Sequence, residues 1–175
     1  MQQTILAFGA LMITMMITVN QQQSIFRVQQ LSYVRELENA AIDFGARQLE
    51  EIMNTVAFDE ATVGATKMTF GAGDFSQINE FGHDSGENGA NKATFDDLDD
   101  YDGFEETATH VMSADTFMFH VSYAVEYVSP SSPNTSPSSA TFAKQITATI
   151  ESDTMVGDKR AHVVMKRVTI VTDSF

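Results

Sequence analysis

Thr4 to Val19 (TILAFGALMITMMITV) is sixteen residues without a charge, and no Lys or Arg precedes Arg27. A helix that crosses a bilayer needs ~20 mostly apolar residues, so Met1–Val19 is just long enough to span one. A secretory signal carries a basic n-region and a small-residue cleavage site, and the cytoplasmic end of an anchor usually carries Lys or Arg. This segment has neither. The expectation is that a charged leader has been removed and that the apolar helix forms the mature N-terminus. A surface this apolar has to be buried, in lipid or among other copies of itself.

At 175 residues, the chain holds that helix plus one soluble domain of roughly 110–120 residues, near the size below which a core becomes marginal. There is no Cys, which excludes a disulfide framework and thiolate metal sites. A net charge of −14 argues against a nucleic-acid partner, because nothing here would displace counterions from phosphates. Asp74 to Glu106 carries eleven acids against Lys92 alone, whereas Lys144 to Arg167 carries five bases against Glu151, Asp153 and Asp158. That asymmetry suits head-to-tail contact between subunits, or simply a solvated acidic face.

Apolar residues return after Asn20–Gln23 as Ile25, Val28, Leu31, Val34, Leu37, Ala41, Phe44, Leu49, Ile52, Met53 and Val56. Their spacing is one stripe of an amphipathic helix. Arg27, Arg35, Glu36, Glu38, Asp43, Arg47, Glu50 and Glu51 occupy the opposite face. No proline interrupts residues 1–57, and only Gly9 and Gly45 break the side-chain surface. The pattern predicts one nearly continuous helix of about 55 residues, roughly 80 Å long. Thr14 to Gln23, rich in β-branched and amide residues, is its weakest stretch and the place where it would unwind first.

Asp59 to Asp115 reads as loops and short turns punctuated by glycines, including Gly64, Gly71, Gly82 and Gly103. Phe117–Val128, Phe142–Ile150 and Val163–Thr172 are β-rich runs and predict three strands of an antiparallel meander. Ser129–Ala140 (SPSSPNTSPSSA) joins the first two as an exposed loop, and Asp153–Ala161, with Gly157, joins the last two. The fold class is therefore α+β: a long helix packed on a small antiparallel sheet. Residues 1–24 form the projecting apolar part, and residues 25–175 form the amphipathic helix with its globular domain.

This order of parts resembles type IV pilins and the pseudopilins of type II secretion systems across the whole chain. Met1 fits a mature pilin-like N-terminus, and Phe95–Phe104 (FDDLDDYDGF) is similar to the acidic Asp-Asp-Tyr-x-Gly turn of some pilin-like proteins. The family usually has Glu at the fifth mature position, where it pairs with the N-terminal amine of a neighbouring subunit. Here Ile5 stands there, flanked by Thr4 and Leu6, and the helix-breaking Pro near position 22 is replaced by glutamines. The resemblance implies a structural subunit of an extracellular filament, inserted in the cytoplasmic membrane before assembly. Its partners would be copies of itself and an inner-membrane assembly machinery, with Ile5, Leu6, Phe8, Leu11, Ile13, Met16 and Ile17 in the assembly core. A minor or tip pseudopilin and a single-pass anchored enzyme or binding protein are the other readings.

Two segments attract chemistry of their own. Asp96, Asp97, Asp99, Asp100 and Asp102 offer five carboxylates in one loop ending at Gly103. Ca²⁺ takes six to eight oxygens, and such a run repels itself unless neutralised, although its spacing is not that of an EF-hand. The alternatives are a Ca²⁺ site and a solvated acidic loop; no other cofactor is expected. Asn134-Thr135-Ser136 is a glycosylation sequon, and Ser131 and Thr135 add hydroxyls for O-linked sugar; otherwise the loop is merely flexible. His83, His110, His120 and His162 lack metal spacing. No nucleophile motif or phosphate loop occurs, so the chain reads as a non-enzyme.

Overall fold

A single α-helix, α1 (Gln2–Thr55), runs unbroken for 54 residues, matching the continuous helix that the pattern predicts. The structure is a computed structural model that describes residues 2–63, 70–84, 86–112, 115–154 and 160–171. The glutamine cluster Gln21–Gln23 stays helical in the single chain. Thr14 and Thr18 donate their hydroxyls to the carbonyls of Ala10 and Thr14, at 2.8 and 2.9 Å, so neither seeks a partner elsewhere.

Only the C-terminal part of α1 is covered. Leu37, Ala40, Ala41, Phe44, Leu49 and Ile52 are buried, whereas Ile25, Val28 and Leu31 on the preceding turns remain exposed. The projecting apolar surface therefore extends further along the helix than residue 24, and the first third of the predicted stripe has no partner within the chain. Each large side chain fully buried in the remaining stripe contributes about 1.5–3 kcal/mol, which fixes the helix against the sheet.

That sheet has four antiparallel strands in the order β1 (Glu105–Met112), β2 (Asp115–Tyr127), β3 (Ala143–Ser152) and β4 (His162–Ile170). The last three match the expected meander. β1 was hidden in the segment read as loops, and the reason is its register. Glu106, Ala108 and His110 lie opposite Val121, Phe119 and Phe117 of β2, so the inward positions of this edge strand carry almost no large apolar residue. The turn at Gly157 and the loop glycine Gly64 lie outside the described residues.

Phe117, Phe119, Val121, Tyr123, Val125 and Tyr127 alternate along β2 and are all buried. Their partners on β3 include Ile150, Ala148, Ile146 and Lys144. α1 crosses this face so closely at Gly45 that a Cβ there would meet Ile150 Cδ1 at 2.7 Å and Met165 Sδ at 2.8 Å. The long connection from Asp59 to Phe104 is held by aromatic anchors rather than by regular structure. Phe75 meets Phe58 and Phe142 edge-on, and Phe95 meets Tyr101 and Phe104 the same way.

Gly45→Leu is expected to destabilise the domain by about 1–3 kcal/mol through overpacking. Gly45→Ala should cost much less, because Met165 is flexible and Ala favours helix by about 1 kcal/mol over Gly. Denaturant midpoints of the two variants test the close approach; equal stability would refute it.

Candidate functional site

Every residue expected in the assembly core is on the bare part of α1. Ile5, Leu6, Phe8, Leu11, Ile13, Met16 and Ile17 are between 52% and 73% exposed. None of the most apolar eighteen-residue stretch of this helix is buried, and by length and composition it suffices to cross a membrane. The exposed residues point in all directions around the helix, and Ile25, Phe26, Val28 and Leu31 extend them. No charged group interrupts the surface before Arg27. Burying it against lipid or against like helices returns roughly 25 cal/mol per Å² of apolar surface.

The acidic run Asp96–Asp102 is not one ligand set. The structure divides it among four tasks. Asp99 Oδ1 meets the Lys144 ammonium at 2.5 Å. Asp97 Oδ1 accepts the Asp99 amide at 2.9 Å. Asp100 Oδ2 accepts the amides of Asp96 and Asp97, both at 3.1 Å. Asp102 Oδ1 accepts the Val125 amide at 2.9 Å, tying the turn to β2. Gly103 follows with φ +75°, a left-handed conformation that glycine adopts without a Cβ penalty.

Among the described residues, Glu87, Asp96 and Asp100 bring one carboxylate oxygen each to within 4.8 Å of one another, and these are the side chains able to share a hard cation. Glu60 and Asp84 flank them. Repulsion from Asp96 raises the Glu60 pKa, and burial followed by Glu87 raises that of Asp84. Asp97, Asp99 and Asp102 are engaged elsewhere.

Burial, then the hydrogen bond to Asp99, pushes Asp97 up to about 9. Burial, then the hydrogen bond to Glu87, pushes Asp100 up to about 7. Both carboxyls therefore hold protons that the unfolded chain releases near its ordinary carboxylate range.

The most buried charge is one that the sequence reading did not single out. Lys144 on β3 has no exposed surface. Its Nζ lies 2.8 Å from Asp59 Oδ2 and 2.5 Å from Asp99 Oδ1. The rings of Phe58, Phe81 and Tyr127 surround it at 5.0, 5.2 and 5.3 Å from their centroids. Asp59 also accepts the backbone amides of Ser76 and Ala61. The Tyr127 hydroxyl lies 2.9 Å from the Ser76 carbonyl and 3.3 Å from Asp59, and burial raises its pKa first. The signal was present: in FAKQITATI, Lys144 shares its alternation with Ile146, Ala148 and Ile150. A lysine at the inward phase of a strand has to find carboxylates.

Asn134, Ser131 and Thr135 lie together and exposed in the Ser/Pro loop. Ser129 and Thr135 close it through a 3.0 Å backbone bond, and Ser136 bonds to Glu126. The histidines stay apart. His120 and His162 face Glu105 and Glu151 at the surface, while buried His110 packs 5.7 Å from the Phe44 ring.

The chain has no significant match to a protein-family model, a curated protein or a solved structure.

Two outcomes follow from the charge cluster. Lys144→Met leaves Asp59 and Asp99 buried without their cation and should cost about 3–5 kcal/mol in denaturant unfolding. Because the folded-state pKa values of Asp97 and Asp100 are raised, their protons stabilise the fold below the unfolded value. That contribution is lost as pH rises through about 7 for Asp100 and about 9 for Asp97. Stability should therefore decline from pH 5 to 9, by no more than ~1.4 kcal/mol per pH unit per group. Asp100→Asn should flatten the part near neutrality; an unchanged profile in that variant would refute the assignment.

Proposed function

We propose that the chain is a structural subunit of an extracellular pilus-like filament that polymerises through its apolar N-terminal helix. The observation that carries this reading is the exposure of Ile5, Leu6, Phe8, Leu11, Ile13, Met16 and Ile17 on a helix whose other end is locked into a folded head. A helix that is apolar all round calls for an apolar surrounding on every side. A membrane supplies this before assembly, and a bundle of like helices supplies it afterwards. The head, with its acidic surface and open loops, would tile the outside.

The partners on this reading are other copies of the chain, together with the inner-membrane machinery that extracts and stacks them. Ile5 removes the carboxylate that registers such helices in pilins, so registration falls to shape and to contacts between heads.

Electron microscopy of purified full chain after detergent removal should show filaments. Leu11→Asp with Ile13→Asp should abolish them while leaving the unfolding of the head unchanged within about 0.5 kcal/mol. Deletion of residues 1–24 should yield a folded, monomeric head with its sheet signal intact. Monodisperse detergent particles of the full chain under all conditions would reject the filament in favour of a membrane-anchored protein.

A further inference from the structure

Lys144 sits in a setting that does more than balance charge. Its nitrogen is 2.5 Å from Asp99 Oδ1, so the carboxyl carbon one bond further on lies within about 3.7 Å of it. Water is excluded, since Lys144 is fully buried and Asp59, Asp97 and Asp99 are each at least 95% buried. Three aromatic rings wall the amine. Two further carboxyls adjoin the pair. Asp59 meets Nζ directly, and Asp97 is held beside Asp99 by accepting its backbone amide at 2.9 Å.

We propose that Lys144 Nζ and Asp99 Cγ become joined by an intramolecular isopeptide bond, formed by the folded domain itself, with Asp97 as proton donor and Asp59 as proton acceptor. The inference is independent of how the N-terminal helix assembles. Nucleophile, electrophile, acid and base are the four groups that amide formation requires, and here all four meet in one dry site.

The step balances without a cofactor. Asp59 takes a proton from the Lys144 ammonium, and Asp97 gives one to the Asp99 carboxylate. The freed nitrogen lone pair bonds to Cγ while the carbonyl π pair moves onto its oxygen. The nitrogen then returns a proton to Asp97. The carbonyl re-forms, and the hydroxyl leaves as water with the proton held by Asp59. One C–N bond replaces one C–O bond, and both helper carboxyls end as they began. The raised pKa of Asp97 keeps its proton available near neutrality, and the scarcity of water in the pocket disfavours the reverse hydrolysis.

Tryptic mapping of the denatured full chain tests this. Asp99 and Lys144 both lie between the cleavage sites at Lys92 and Lys159. With the bond in place, cleavage after Lys144 is lost. A single Ala93–Lys159 peptide should appear, lighter than its sequence by one water and yielding no backbone fragments between Asp99 and Lys144. Asp99→Ala should restore cleavage after Lys144, and Asp97→Ala should leave both partners present but largely unlinked. Recovery of Ala93–Lys144 and Gln145–Lys159 at their sequence masses from the wild-type chain would overturn the proposal and leave a plain ion pair. A link to Asp59 would overturn the assignment of Asp99 as the electrophile.

Discussion

The head is organised around one buried cation. Lys144 reaches from the sheet to Asp59, which follows the end of α1, and to Asp99, in the turn that leads into β1. Those three positions are far apart in sequence, and the described residues between Asp59 and Asp99 are mostly irregular. Taking one ammonium and two carboxylates out of water costs several kcal/mol per ion unless every polar atom finds a partner. That requirement explains the surrounding detail. Ser76 and Ala61 present amides to Asp59, Asp97 braces the Asp99 amide, and Tyr127 bridges to the Ser76 carbonyl. A loop that lacks regular hydrogen bonding thereby gains a defined path, since any displacement would strand a charge in an aromatic pocket.

Sequence periodicity revealed the architecture because its signals were strong and local. The uninterrupted helix, the alternation of β2 and the Ser/Pro connection were all legible. What escaped were features set by long-range pairing. β1 is a strand because β2 offers it a hydrogen-bonding edge, not because Glu106, Ala108 and His110 look buried. The stripe at Ile25, Val28 and Leu31 has the right spacing to pack, yet these three stay exposed and full burial begins only at Leu37. Spacing reveals which residues share a face, but not how far the opposing surface extends.

The acidic run illustrates a different limit. Five aspartates in seven residues look alike in sequence, and electrostatics suggests a common neutralising ion. In the fold they point in different directions: one toward Lys144, others toward backbone amides, and only Asp96 and Asp100 toward Glu87. Local density of charge was legible; the direction of each side chain was not, because it depends on φ and ψ within a short 3₁₀ turn at Asp99–Tyr101. Lys144 was the reciprocal clue. Its inward phase on β3 required buried acids, and the run supplied one of the two.

The back-bonded hydroxyls of Thr14 and Thr18 bear on how much orientational information the bare helix can carry. With those polar groups turned onto their own backbone, the stretch from Ile5 to Val19 offers neighbours little beyond dispersion and shape, and exposed amides follow at Asn20–Gln23. Such a surface is nearly degenerate: many azimuths and axial offsets between two helices have similar energy. A seam of this kind binds strongly but discriminates weakly. The asymmetric part of the molecule is the head, and the contact of Leu37, Phe44 and Gly45 with the sheet couples it rigidly to the helix. On the proposed reading, orientation would be written in the head and transmitted along α1, so that a self-similar shaft could still be addressed by a surface that is not self-similar at all.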